Sequence, residues 1–382
     1  MPHISPHALA MPRSGIRRVM DAAWASGREF IGMHVGEPSF VPPEHVLEAA
    51  ERAYAGGDTH YVPNAGVPAL RKAIAVKVRE RNGIDASPER VVVTAGGAQA
   101  LHLAFSLTIS KGDEVLIPDP GWPNFAMAVE LLQATPVPYR LRPGRGFLPD
   151  LEELERLVTP RTRMILVNTP SNPLGTVMDG ELVEALVRFA ERHDLWLLSD
   201  ECYDALTYDV EHVSPARFDT KGVVLSAFSF SKSYAMTGVR VGYLVCPPGA
   251  AENAAKLQEA MISCVNAPAQ AAALAALTGS QAQLARMREA YGRRRLLAMR
   301  LLSEHGIPFL EPHGAFYIWV DVRGLADRPV AEWALHLLSE KQVAVAPGTA
   351  FGAGGEGWVR LSLAADDDAI ETGIARMAEM AS

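Results

Sequence analysis

The chain has 382 residues, 48% hydrophobic and 21% charged, an ordinary balance for a globular enzyme with room for two domains and a large buried core. Its net charge of −8 argues against nonspecific nucleic-acid binding, which needs clustered positive charge. Cys202, Cys246 and Cys264 show no metal-ligand or Cys-x-x-Cys spacing, and no run approaches the ~20 apolar residues of a membrane span, so a cytoplasmic protein with no membrane partner is expected.

The N-terminus carries Pro2, Pro6, Pro12 and Arg13 and lacks the apolar core of a signal peptide. Further on, short apolar runs alternate with longer stretches of helical period. Strands are predicted at Val91–Thr94, Glu114–Pro118, Thr135–Arg140, Met164–Asn168, Leu195–Asp200, Val223–Phe228 and Val241–Cys246. Helices are predicted between most of them, for example Gln99–Ser110, Asn124–Leu132 and Gly180–His193. This alternation points to an α/β fold with a mainly parallel central sheet. The strands are almost continuously apolar, as expected when helices cover both faces.

A long or broken helix is predicted over Ala269–Leu302. Strands at Phe309–Leu310, Ala315–Val320, Val343–Ala346 and Val359–Ser362 follow, around helices Pro329–Glu340 and Asp367–Ala381. This tail and the N-terminal arm are expected to form a smaller α+β second domain. The expected division is 1–44 for the arm and part of the small domain, 45–280 for the large domain and 281–382 for the small C-terminal domain. No internal repeat or long flexible linker is present.

The residues with chemical potential fall just after predicted strands, where ligands bind in such sheets. Ser229-Phe230-Ser231-Lys232, with Arg240 eight positions on, joins an amine able to form a Schiff base to hydroxyls and a guanidinium able to hold a phosphate dianion. An aldehyde that also carries a phosphate is pyridoxal 5′-phosphate. Asp200 ends a strand, where a carboxylate can pair with a pyridinium N–H or simply cap the next element. Tyr203 can reach the cofactor's phenolic oxygen or be an ordinary half-buried tyrosine. Asn172, in a loop held by Pro170, Pro173 and Gly175, offers a donor and an acceptor, although Asn-Pro is also a common turn.

Gly96-Gly97-Ala98 links a strand to a helix and can present free N–H groups to an anion, a weak signal alone. Trp122 can stack on a flat ring or pack in a core. Arg360, in a strand of the second domain, can bind a carboxylate in a bidentate fork or make a surface ion pair. Tyr61 reads as a loop aromatic. His34, two residues before Gly36, points either at a substrate or at solvent.

Together these segments resemble the class I and II aminotransferases, of the fold type I pyridoxal-phosphate enzymes. The likeness runs in order from Gly36-Glu37-Pro38 to the strand of Arg360, through the motifs SNPLGT, SDECY, SFSKSYAMTGVRVGY and PGTAFG. It implies pyridoxal 5′-phosphate bound to Lys232, Asp200 at the pyridine nitrogen, and Tyr203 and Asn172 at the phenolic oxygen. It implies Trp122 stacked on the ring and a phosphate held by Gly97, Ala98, Ser229, Ser231 and Arg240. Arg360, with Gly36 nearby, takes the substrate carboxylate. Tyr61 reaches the phosphate of a second subunit, so a homodimer with shared active sites is implied.

The resemblance also implies a ping-pong exchange between an L-amino acid and a 2-oxo acid. Where one aspartate-specific branch has a lysine in the glycine loop, this chain has Ala98. Another branch uses an arginine from the partner subunit, just before a Ser-Asn-Pro stretch, where this chain has Glu259–Asn266, with Met261 and Cys264 and without an arginine. The expected donor therefore lacks a side-chain carboxylate. A β-elimination lyase on the same fold is the alternative, because fold does not decide reaction. A non-catalytic regulatory module that binds the cofactor is disfavoured, since the chain leaves no room for a DNA-binding domain. A nicotinamide dehydrogenase is disfavoured by the missing dinucleotide fingerprint.

Overall fold

Two sheets organise residues 2–380, the part of the chain that this computed structural model describes. In chain order the strands are β1 (Ile31–Met33), β2 (Val91–Thr94), β3 (Glu114–Asp119), β4 (Thr135–Arg140), β5 (Thr162–Asn168) and β6 (Trp196–Asp200). They continue as β7 (Val224–Ser229), β8 (Gly242–Val245), β9 (Phe309–Leu310), β10 (Tyr317–Asp321), β11 (Val343–Pro347) and β12 (Trp358–Ser362).

The seven-stranded sheet has the order β2-β8-β7-β6-β5-β3-β4. Neighbours from β7 to β4 run parallel, and β8 is antiparallel to both β7 and β2. Strand β5 shows why its sequence is apolar throughout. Met164 and Leu166 pack with Phe105, Leu198 and Leu225 on one face, while Ile165 and Val167 pack with Val187, Phe189 and Leu197 on the other. Successive side chains point to opposite faces, so a sheet covered twice needs apolar residues at both phases. Each fully buried aliphatic side chain contributes roughly 1.5–3 kcal/mol.

Helix Gly180–His193 has the predicted bounds. The Asp179 side chain caps its start by accepting from Leu182 N, and Asp194 ends it in the left-handed region at φ 54°. Helix Gly97–Thr108 begins two residues before the predicted start, because Gly97 is already its first turn. The segment predicted as one long or broken helix is two helices, Ala267–Thr278 and Ala282–Glu304. Gln281 Nε2 fills the break by donating to Ala276 O at 2.9 Å and Gly279 O at 3.0 Å.

The five-stranded sheet has the order β1-β11-β12-β10-β9, with β1 parallel to β11 and the other pairs antiparallel. Strand β10 starts two residues later than predicted, since Ala315 adopts φ 57° and leaves the extended region. The last helix is Asp367–Ala378, and the predicted end at Ala381 lies outside the described residues. Among the described residues no helix is long and apolar enough to cross a membrane.

Candidate active site

The carboxyl ends of β2, β5, β6 and β7 share one edge of the large sheet. They deliver Gly96–Ala98, Asn168–Asn172, Asp200–Tyr203 and Ser229–Lys232. From the small sheet, β10 and β12 bring Tyr317 and Arg360 to the same edge.

Lys232 lies in a single helical turn, Phe230–Ser233, directly after β7. Ser229 Oγ caps that turn by accepting from Ser231 N at 3.1 Å. The Lys232 ammonium donates to Gly36 O at 2.6 Å. Burial pushes the amine down to about 8, which leaves a useful neutral fraction near neutral pH.

Asp200, the last residue of β6, is buried and accepts from Cys202 N at 3.1 Å. Burial raises its carboxyl to about 6. Among the described residues it makes no ion pair, so its carboxylate suits a cationic N–H ligand.

Beside them, the helix at Gly97 has no side-chain cap on its free N–H groups, and Gly96 turns into it at φ 84°. A Cβ on Gly96 would come within 2.5 Å of Arg240 Nη2, so only glycine lets the backbone run against that guanidinium. Arg240 donates to Thr237 O at 2.7 Å and Ala95 O at 3.3 Å, with no acidic partner among the described residues. A Cβ on Gly97 would sit 3.6 Å from Ser229 Oγ. Gly96, Gly97, Ser229 and Arg240 thus lie together at the start of this helix, where free N–H groups, a hydroxyl and a guanidinium can receive an anion.

Arg360 is 2% exposed, which rules out the surface ion pair. Its Nη1 donates to Asn172 Oδ1 at 2.8 Å and its Nη2 to His34 O at 2.6 Å. The guanidinium also lies 4.2 Å from the Tyr317 ring centroid and 4.9 Å from that of Phe351. Asn172 is held in turn, since its N–H donates to Asn168 Oδ1 at 2.7 Å while Asn168 Nδ2 donates to Asp200 O at 3.1 Å. Asn168 therefore ties the Asn172 loop to the strand end that carries Asp200.

Tyr203 is buried, not half-buried, and its hydroxyl meets that of Tyr317 at 2.7 Å. Sequence reasoning passed over Tyr317. The available cue was Gly36, where an added Cβ would overlap the Tyr317 hydroxyl.

His34 is 4% exposed, so the solvent-facing alternative is corrected: it follows β1 directly and its carbonyl is committed to Arg360. Both ring nitrogens are buried without a hydrogen-bond partner, and burial, with the Arg360 charge second, lowers the imidazole to about 4. It is neutral at pH 7.

Trp122 is half-buried and meets Phe125 edge-on at 5.6 Å. It lines a cavity of about 610 Å³ together with Arg13, Arg18, Met127 and Phe351; Lys232 is not in the wall of that cavity. Tyr61 stands 89% exposed in the loop before helix Pro68–Asn82. The structure thus gathers Lys232, Asp200, Asn172, Tyr203, Gly36 and Arg360, and leaves Tyr61 on the surface of the chain.

A buried acid with no ion pair among the described residues, a depressed amine and helix N–H groups beside a guanidinium, all at one sheet edge, suit pyridoxal 5′-phosphate, and the architecture is that of the fold type I enzymes that use it. Within that class, the chain belongs to the class I and II aminotransferases: the family model "Aminotransferase class I and II" matches residues 28–377. It is 40% identical to the aspartate/prephenate aminotransferase of Thermus thermophilus, over 93% of this chain and 91% of that one. It is 38% identical to aromatic-amino-acid aminotransferase 2 of Thermococcus litoralis, over 95% and 94% of the two chains. A solved structure of a single mutant of the Thermus thermophilus aspartate aminotransferase superposes with a TM-score of 0.95 at 39% identity, covering 100% of both chains. The protein is an aminotransferase that depends on pyridoxal phosphate.

Proposed function

We propose that this aminotransferase draws its amino group from an L-amino acid without a side-chain carboxylate, and works as a cytoplasmic homodimer with shared active sites. The observation behind the donor is the neutral lining near Ala98. Gln99 Nε2, next to Ala98, donates to Gln258 Oε1 at 2.8 Å and lies 4.0 Å from Met261 Sδ, so neutral side chains pack where the glycine loop meets the Met261 segment. Glu259, beside them, accepts from Asn64 Nδ2 at 2.9 Å and adds a negative charge. Bringing a second carboxylate there would leave it without a partner.

Arg360 and Asn172 orient the α-carboxylate, beside Gly36 and the buried ring of His34. Gly97, Ala98, Ser229, Ser231 and Arg240 hold the phosphate. With the cofactor bound, Trp122 would stack on its ring, Tyr203 and Asn172 would hold its phenolic oxygen, and Asp200 would keep its nitrogen protonated. When bound, the cofactor supplies an electron sink for bond cleavage at the α-carbon. Lys232 Nζ takes the α-proton as general base and returns it as general acid, a role its depressed pKa favours. A 2-oxo acid leaves before the second 2-oxo acid enters. Tyr61, exposed in one chain, serves the phosphate of the other. The division into residues 1–44, 45–280 and 281–382 goes with this reading, and three cysteines without disulfides favour the cytoplasm.

Arg13 and Arg18, in the cavity beside Trp122, favour a second reading in which the donor is acidic. The names of relatives that act on aspartate agree with it. Single-turnover reactions with individual amino acids, followed by loss of the cofactor's visible absorbance, separate the two. The first reading expects Phe, Tyr, Leu or Met to lead. Aspartate or glutamate ahead by more than tenfold in kcat/KM, about 1.4 kcal/mol, would overturn it.

A further inference from the structure

Tyr317 makes three contacts that bear on the reaction, each with a different part of the site. Its hydroxyl is 2.7 Å from the Tyr203 hydroxyl. Its ring face lies 4.2 Å from the Arg360 guanidinium. Its hydroxyl also fills the space that a side chain at Gly36 would need, and Gly36 O is the acceptor of Lys232. Tyr317 is itself 1% exposed and starts β10, paired in register with Ser362 two residues beyond Arg360. It comes from the five-stranded sheet, whereas Tyr203 and Lys232 follow β6 and β7 of the seven-stranded one.

We propose that Tyr317 is a positioning residue that couples the carboxylate anchor to the cofactor side of the site, holding Arg360 with its ring and Tyr203 with its hydroxyl. The two functions rest on different atoms and separate by substitution. Either hydroxyl of this pair can donate. When Tyr317 is the donor, Tyr203 keeps its own proton for another acceptor and becomes a stronger donor, because hydrogen bonds in a chain polarise one another. In that arrangement Tyr203 would be free to donate to the phenolic oxygen of the cofactor. The ring is independent of this: it places the quadrupole of an aromatic face under a buried guanidinium, beside its hydrogen bonds to Asn172 and His34.

Tyr317→Phe removes the hydroxyl and keeps the ring. A weaker Tyr203 donor competes less well with other protons for the phenolic oxygen. The pH midpoint of the visible absorbance of the cofactor-loaded enzyme is therefore expected to rise, by about half a pH unit, a roughly threefold change in the proton equilibrium. KM for the amino donor is expected to stay within about twofold, since Arg360 keeps its support. Tyr203→Phe should move the midpoint further in the same direction. Adding Tyr317→Phe to Tyr203→Phe should move it no more, because the relay is already cut.

Tyr317→Leu should raise the donor KM by about tenfold or more, beyond any loss in kcat, because the guanidinium loses the nearer of its two aromatic faces and keeps only that of Phe351. Circular dichroism and the pyridoxal phosphate affinity of each apo variant control for folding. If Tyr317→Leu does not fold, the Tyr317→Phe titration decides. An unmoved midpoint in Tyr317→Phe, or an equal shift on the Tyr203→Phe background, overturns the coupling to Tyr203. An unchanged donor KM in a folded Tyr317→Leu overturns the role at Arg360.

Discussion

Arg360 Nη1 donates to Asn172 Oδ1 across 2.8 Å, and this bond joins β12 of the small sheet to the loop after β5 of the large one. One arm of the guanidinium fork is thus aimed by the side-chain amide of Asn172, whose backbone N–H donates to Asn168, and the other by the His34 carbonyl. The fork has a set direction before any substrate arrives. Binding a carboxylate to such a group costs little reorganisation, the advantage of a preorganised site.

Replacing Arg360 with Lys keeps the charge and loses the fork. A single ammonium cannot serve Asn172, His34 O and a carboxylate in one plane. Steady-state kinetics of Arg360→Lys should show a fall in kcat/KM of tenfold or more, about 1.4 kcal/mol, with most of it in KM. A KM equal to that of the parent would mean that the carboxylate is held elsewhere.

Lys232→Ala should reduce transamination by more than the ~10²–10⁴ of a lost general base, because the amine that holds the cofactor goes with it. Borohydride treatment of the loaded enzyme, followed by peptide mapping, should place the pyridoxyl label on Lys232. Lys77 is a useful contrast, since it is committed to Asp204 and Asn82 shares that carboxylate. A label on Lys72, Lys77 or Lys256 would end the assignment.

Asp200→Ala should cost about 10²-fold or more in kcat, on the scale of losing a placed electrostatic group, with a smaller change in cofactor occupancy. The buried carboxylate accepts a hydrogen bond from Cys202 N and makes no ion pair among the described residues, so its structural duty is slight. Near-normal kcat at full occupancy would show that Asp200 serves only the loop after β6.

How far the site could be read in advance depended on how local each contact is. Ser229 to Lys232 and Asp200 to Tyr203 lie within single strand-to-turn segments, so residue type and spacing carry their chemistry. Helix Gly180–His193 was legible for the same reason, with a capping Asp179 and a clean apolar stripe. Tyr317 was not, because its neighbours Tyr203 and Arg360 are distant in sequence and meet it only once the two sheets pack. The burial of His34 was hidden by its setting, directly after a strand of only three residues whose middle residue, Gly32, is exposed. The start of helix Gly97–Thr108 was obscured because glycines read as a loop, although here they are its first turn.

Acid should expose the buried imidazole of His34. Its folded-state pKa of about 4 lies below the ordinary value of 6.5, so between those values the unfolded chain binds more protons than the folded one. Stability from this group is then fully present above about pH 6.5 and is lost as the pH falls toward 4, by an amount of the order of 3 kcal/mol. Asp200 acts in the opposite sense, since its raised carboxyl, at about 6, favours the folded apo protein at low pH. The His34 contribution is therefore read as a difference. Urea denaturation of the apo parent and of His34→Gln, at one protein concentration, should show the parent losing more stability from pH 7 to pH 4. Parallel pH profiles would mean that His34 is not buried neutral.

Tyr61 lies 89% exposed in one chain, although the anion site that its role requires is elsewhere. A second copy resolves this if each loop crosses to the other's phosphate. Mixing Lys232→Ala with Arg360→Ala would not test it, because both residues serve the site of their own chain. Mixing Lys232→Ala with Tyr61→Ala does. In a hybrid dimer one site collects both lesions and the other is built from an intact Lys232 and an intact Tyr61. Random pairing makes about half the dimers hybrids, so roughly a quarter of the parent activity should return after subunit exchange. Light scattering should report a dimer throughout, and mass spectrometry should verify the exchange. If activity stays at the level of the separate variants after proven exchange, each site is complete within one chain and the shared-site reading fails.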